Sequence, residues 1–408
     1  MITKSKIVTA GKRGDKVRSD CFIKIELNKS GGIKTSLLSK VDSMYGDSIN
    51  DLIIEMCEFF ELKNAEITVD DYGALPFTLA ARFETAYKKL FPDDQKEFLP
   101  AFNRKNLYTT TKDRMRRSRL YLPGNEPKFY TNAGLHNPDG IILDLEDSVA
   151  PLEKDAAKYL VRNALCAVDF CGSERMVRIN QLPRGLDDLH FIVPHNVHVV
   201  LIPKCESAQT VIDVEEEINI IKADRNVSAT IYLMPIIESA LGVVKAFDIA
   251  SASDIVCALA VGLEDYTADL GVERTNEGRE SFYARSAIVN AAKAAGVQAI
   301  DTVFSDVNDM DALKASVLEA KSLGFEGKGC IHPRQIQVVN EAFAPTEKEI
   351  EKAKKIVLAF EDAEKKGLGV VALGSKMIDA PVVKRAKHTI ELAIRNGLLR
   401  ENWAEEKT

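Results

Sequence analysis

No stretch of the 408-residue sequence stays apolar for about 18 residues, the length needed to cross a bilayer, so no membrane-spanning segment is expected. The start, "MITKSKIVTAGKRGDK", has charge but no apolar core, and a secretory leader is not expected. Seven cysteines are scattered without a CxxC pair, which argues against a disulfide framework and a zinc site and for reduced thiols in a cytosolic protein. There is no excess of positive charge. The net charge of -7 argues against a general nucleic-acid binder. G-x-S-x-G and a G-x-G-x-x-G after the first strand of the long second part are also missing, which removes the nucleophile elbow and weakens a dinucleotide fold. What remains is ordinary for a globular chain, 46% hydrophobic and 28% charged.

Two parts read differently. Residues 1–95 mix strand-like alternation ("DCFIKIEL", 20–27; "AEITVDD", 65–71) with helical periods (48–62 and 75–91). They predict a small α+β domain. Residues 96–115 read as a polar, solvated linker, with the basic residues Arg114, Arg116 and Arg117 clustered at its junction with the next part. The second part alternates eight apolar, β-branched runs with helical stretches. The runs begin at 119, 140, 175, 197, 229, 254, 298 and 327. This rhythm predicts a parallel (β/α)8 TIM barrel over 116–345, followed by a helical tail over 346–408.

In such a barrel, chemistry gathers at the C-terminal ends of the strands. "GIILDLEDSVAP" (140–151) ends a buried strand on Asp144, Glu146 and Asp147, a costly placement for charge. The following strands deliver Arg178 and Asn180, then Lys204 and Glu206, Glu238, Glu264 with Asp265, and Asp306. So many carboxylates at one mouth call for a cation. Oxygen ligands favour a hard one, Mg²⁺ above all. Asp144 is expected to pair with a basic group inside the barrel. "HNVH" (195–198) and His332 are read as structural.

"RRSRLYLPGN" (116–125), "PDGIILDLEDSVAPLEKDAA" (138–157), "MVRIN" (176–180), "PIIESALGV" (235–243) and "GLEDYTADLGVERTNEG" (262–278) resemble the citrate lyase β-subunit family. "GFEGKGCIHPRQI" (324–336) and "GSKMIDAPVVKRA" (374–386) continue the likeness. It implies a Mg²⁺-dependent, often trimeric barrel enzyme that breaks a carbon–carbon bond in a hydroxyacyl thioester. By that likeness Glu238 and Asp265 hold the metal. Glu146 and Asp147 hold its waters, Arg178 grips the oxo-acid, the helical tail is a lid, and Asp379 on it is an acid–base group. Arg116, Arg117 and Lys154 are candidate partners for coenzyme A phosphates.

The front part, through "KVDSMYGDSI" (40–49) and "ITVDDYGALPFTLAARFETA" (67–86), resembles the citrate lyase γ-subunit, an acyl carrier protein. That family carries a phosphoribosyl-dephospho-CoA group on a serine. Alignment back from the strand puts Arg18 at the attachment position, and Ser19, one residue later, is the candidate. The resemblance implies cleavage of a citryl thioester, on carrier or coenzyme A, to an acetyl thioester and oxaloacetate, with a citrate lyase α-subunit as partner. Citramalyl- or malyl-CoA as substrate, or a non-catalytic assembly subunit, stay open as alternatives.

Overall fold

The computed structural model describes residues 6–365, 371–373 and 376–404. The chain divides into two compact units, Met1–Ile336 and Gln337–Thr408.

The first unit opens with a four-stranded sheet and two helices. Strands β1 (Ile7–Gly11), β2 (Cys21–Leu27), β3 (Ile33–Ser39) and β4 (Ala65–Asp71) lie in the order β1-β2-β4-β3. Helix α1 (Asp42–Phe59) connects β3 to β4, which pair in parallel; the other pairings are antiparallel. Helix α2 (Pro76–Leu90) packs on β1 and β2. Ile23, Ile25, Ile67 and Val69 project by alternation into a core with Ile53, Met56, Phe60 and Phe83. Strands β1 and β3 were not expected. β3 is mostly solvent-facing and carries no apolar alternation.

The expected linker is a strap rather than a solvated tether. Asn103 N donates to Cys166 O at 2.8 Å, Asn106 Nδ2 to Val168 O at 2.6 Å and Tyr108 Oη to Ser173 O at 2.6 Å. Its backbone and amides therefore find partners on the barrel, which fixes its path.

The barrel strands are β5 (Ser118–Pro123), β6 (Gly140–Asp144), β7 (Glu174–Arg178), β8 (Val199–Ile202), β9 (Tyr232–Ile237), β10 (Ala258–Val261), β11 (Gln298–Asp301) and β12 (Gly327–Cys330). They form one closed parallel barrel in chain order, with β12 pairing back onto β5. Each falls inside or beside one of the eight apolar runs. Ile142, Met176, Val199, Leu201, Met234, Ile236 and Ile300 share the core that fills it. The crossovers use α3 (Lys154–Ala167), α4 (Arg184–Ile192), α5 (Ala208–Arg225), α6 (Ala240–Val244), α7 (Ala246–Ala250), α8 (Leu263–Leu270), α9 (Arg279–Ala294) and α10 (Met310–Leu323). Between β5 and β6 there are only short 3-10 turns. Helix α11 (Arg334–Phe343) follows β12.

In the second unit, α12 (Glu347–Lys365) packs against α13 (Ala380–Arg395) through Ile356, Val357, Val383 and Ile390. A hairpin of β13 (Val371–Leu373) and β14 (Lys376–Ile378) lies between them in sequence. Asp379 caps α13: its Oδ1 accepts from Val382 N at 3.2 Å, and Pro381 occupies the first turn.

Candidate active site

Five consecutive strands deliver charge to one end of the barrel. Arg178 is the last residue of β7. Its Nε and Nη2 donate to the two oxygens of Asp144, the last residue of β6, at 2.7 Å each. Burial alone would raise the Asp144 carboxyl; the guanidinium overrides this and holds it below the usual range. Asp144 is thus the buried partner expected from sequence. It takes the fork that sequence reasoning gave to substrate. The Nη1–Nη2 edge of Arg178 is what remains for a ligand. Nη1 stands 3.0 Å from Glu146 Oε2, which nonetheless accepts no hydrogen bond.

Lys204, two residues beyond β8, joins three loops. Its Nζ lies 3.3 Å from Asp147 Oδ2, 3.4 Å from Asp265 Oδ1 and 3.5 Å from Glu146 Oε1. Its backbone sits at φ 47°, a strained region for a residue with a side chain. Burial would lower the ammonium pKa, but the three carboxylates push it up. Here Lys204 is the cation that balances them.

Glu238, directly after β9, is different. It is 5% exposed, and its Oε2 is buried with no hydrogen-bond partner. Burial raises its pKa to about 8, helped by Asp265 and Glu146 and opposed by Arg178. Gly262 leaves room for it: a Cβ there would come within 2.8 Å of Glu238 Cγ. An unsatisfied buried carboxylate costs several kcal/mol unless a cation joins it. Asp265, in the first turn of α8, has a side chain 45% exposed and faces the same cavity. Among the described residues no three His, Cys, Asp or Glu side chains stand close enough to hold a metal by themselves. A hard divalent cation of the Mg²⁺ type needs no such set, because it keeps several waters. Glu238 and Asp265 fit that demand.

These groups border a cavity of about 230 Å³, lined by Tyr121, Asp144, Arg178, Glu238, Gly262 and Asp265 among others. Sequence reasoning missed one of its residues. Arg119 lies two residues before Tyr121 on the inward face of β5. It is 1% exposed, and its Nη1 donates only to the Met234 thioether at 3.0 Å. Its inward phase on a parallel strand was the available signal.

Other expected residues lie elsewhere. Arg116 is not a phosphate ligand in this arrangement: it is fully buried at the N-terminal end of the barrel, opposite the cavity. Glu174 takes its Nε and Nη2 at 2.8 Å each, and Gln298 takes Nη1 at 2.7 Å. Arg117 forks onto Asp139 just before β6, on that same far side. Lys154 bonds Asn180 at the catalytic end. Glu206 accepts from Ser239, Glu264 pairs with Arg274, and Asp306 accepts from its own loop at Asn308 N. Glu206 and Asp306 stay outside the carboxylate group, and Glu264 lines the cavity but is paired with Arg274. His198 Nδ1 accepts from Arg175 N, and burial lowers its pKa to about 3. It is a structural residue, as expected. Ser19 lies in the loop before β2, half-buried, at φ 55°.

Residues 117–333 match the family model described as HpcH/HpaI aldolase/citrate lyase. The chain belongs to that family. It is 43% identical over 291 residues to the citrate lyase subunit beta of Leuconostoc mesenteroides subsp. cremoris, covering 70% of this chain and 96% of that one. It is 33% identical over 291 residues to the mitochondrial citramalyl-CoA lyase of Homo sapiens, covering 68% and 85%. Among solved structures it is similar to CitE from Mycobacterium tuberculosis in complex with magnesium, acetoacetate and coenzyme A. The TM-score is 0.58 at 29% identity, over 69% of this chain and 99% of that one. A second model, an acyl carrier protein described as the malonate decarboxylase delta subunit, matches residues 12–90. The family member carries a lyase barrel behind a carrier-like front domain.

Proposed function

We propose that this chain is a Mg²⁺-dependent lyase that cleaves a citryl thioester to an acetyl thioester and oxaloacetate. The observation that carries the reading is the buried, unpartnered oxygen of Glu238 beside Asp265 and Arg178, in a family of lyases. Glu238 and Asp265 would hold the metal, and Glu146 and Asp147 would bond its waters. When bound, Mg²⁺ supplies a Lewis acid for the hydroxyl and carboxylate oxygens of the substrate.

The reaction is a retro-Claisen cleavage. The tertiary hydroxyl loses its proton, its oxygen becomes the ketone of oxaloacetate, and the carbon–carbon bond breaks. The electron pair passes to the thioester as an enolate, which takes a proton on carbon. Arg178 presents its Nη1–Nη2 edge, flanked by Glu146 at 3.0 Å, to the oxo-acid carboxylate, fixed in angle by Asp144 on its other side. Lys204, within 3.5 Å of three carboxylates, keeps the negative charge of the site in balance. Asp379 is the proposed acid that protonates the enolate carbon. A homotrimer and a citrate lyase α-subunit partner belong to the same reading; a prosthetic group on Ser19 belongs only to its carrier-bound form.

The test is product release by the purified chain from citryl-CoA, citramalyl-CoA and malyl-CoA, with Mg²⁺ and with chelator. Oxaloacetate that appears only with Mg²⁺ supports the reading. Pyruvate or glyoxylate instead keeps the mechanism and changes the substrate. No product from any of the three sinks it for free thioesters.

A further inference from the structure

The front domain is fastened to the catalytic face of the barrel. Helix α2 is buried along most of its length, between its own sheet and α3. Its Glu84 takes two hydrogen bonds from Arg162 on α3, at 2.5 and 3.1 Å, and neither side chain touches solvent. Asn163 Nδ2 donates to Phe77 O at 3.1 Å.

The loop between β1 and β2 is tied down at both ends. Lys12 pairs with Glu126 and, at 3.6 Å, with Glu153. At the far end Asp20 accepts from Arg82 at 2.7 and 2.9 Å, and Arg82 Nη2 reaches Asn125 O at 3.4 Å. Asn125 and Glu126 follow β5, and Glu153 lies beyond β6. Next to them, Gly124 N donates to the carbonyl of Asp144, the residue that holds Arg178. The loop therefore borders the mouth of the barrel.

Between its anchors this loop is rich in cations. Arg13 is spent on Asp70 and on the face of Phe22. Lys16 and Arg18 are exposed and have no ion-pair partner among the described residues. With Asp15 as one acid against three cations at 13–18, the loop keeps a net positive charge that an anion would neutralise.

We propose that Lys16 and Arg18 form a subsite for the phosphate-bearing end of a free coenzyme A thioester, presented by a front domain that stays docked. This rests on the thioester reading above. It makes the carrier-like domain part of the substrate site rather than a swinging arm. The position of Arg18 where the carrier family has its attachment serine fits a loop that binds phosphate without a covalent link.

The experiment is calorimetric titration of the full chain with coenzyme A and with pantetheine, which lacks the nucleotide. The variants are Lys16→Glu/Arg18→Glu and the milder Lys16→Ala/Arg18→Ala. The charge-reversed pair should weaken coenzyme A binding by about 10-fold or more and flatten its salt dependence, leaving pantetheine unchanged. The alanine pair should shift it the same way by less. Equal coenzyme A binding by wild type and variants would overturn the proposal. So would equal weakening of pantetheine, no coenzyme A binding at all, or a coenzyme A-derived mass on the peptide containing Ser19. Coenzyme A binding that follows the charges without any thioester cleavage would defeat the lyase reading and leave this subsite standing.

Discussion

Glu84 Oε2 lies 2.5 Å from Arg162 Nη2, and both side chains are 0% exposed. This pair joins the carrier-like domain to the first full helix of the barrel. Removing Glu84 leaves the buried Arg162 with Glu97, at 3.5 Å, as its carboxylate partner and takes away its two short hydrogen bonds. Glu84→Ala is therefore expected to cost roughly 3–5 kcal/mol in urea unfolding, and Glu84→Met/Arg162→Met much less. The front domain and the barrel should also unfold in one transition. A Glu84→Ala loss below about 0.5 kcal/mol would mean that the pair is wet in solution and the domain is loosely held.

Glu97, on the strap behind α2, gives the pH prediction. Burial alone would raise its carboxyl, but His195 at 3.8 Å, Arg225 at 2.5 Å and Arg162 override this and hold it at about 2. A group depressed in the folded state adds stability above its unfolded value, near 4.5, and loses it as pH falls toward about 2. The slope over that window is at most about 1.4 kcal/mol per pH unit from this group. Glu97→Gln should flatten the acid limb of stability between those values and leave the neutral region less stable than wild type. An unchanged acid limb would show that other carboxylates set it.

Glu238→Gln separates the metal reading from a structural one. Glutamine keeps the shape and removes the carboxyl, which below about pH 8 must be held protonated and above it is a charge without a partner. The metal-free variant is expected to melt higher than wild type, because the cost of burying an uncompensated carboxylate disappears. Mg²⁺ affinity should fall by at least about 10-fold by calorimetry, and lyase turnover with it. A variant that binds Mg²⁺ as tightly as wild type would remove Glu238 from the metal site.

The barrel was legible because parallel strands buried on both faces write themselves as apolar, β-branched runs, and eight of them repeat. Glu238, Asp265 and Arg178 could be placed at the mouth because each lies at or just past the end of one of those runs, and the family resemblance singled them out from the other charges there. The fate of their donors and oxygens was not legible. Whether Arg178 faces substrate or Asp144 depends on register across β6 and β7, which a single sequence does not print. Arg116 and Arg117 misled for a related reason. They precede β5, so they sit at the barrel's closed end, and their carboxylate partners, Glu174 and Asp139, start or precede other strands. Arg119 was hidden within an ordinary strand pattern. The docking of the front domain was also out of reach, because a buried Glu84 in a helix reads like any solvated one until α3 lies on it.

Asp379 has two roles to tell apart, and asparagine divides them. Its Oδ1 caps α13 through Val382 N, a bond worth about 1 kcal/mol to the helix. Asparagine caps as well as aspartate but cannot deliver a carboxyl proton. If Asp379 protonates the enolate carbon, Asp379→Asn should keep wild-type melting and lose roughly 10²- to 10⁴-fold in turnover. Asp379→Ala should lose both the activity and about 1 kcal/mol of stability. The two measurements are a thermal scan and oxaloacetate release on the same preparations. Full turnover in Asp379→Asn would leave this residue only its cap, and the acid would then have to come from the barrel itself.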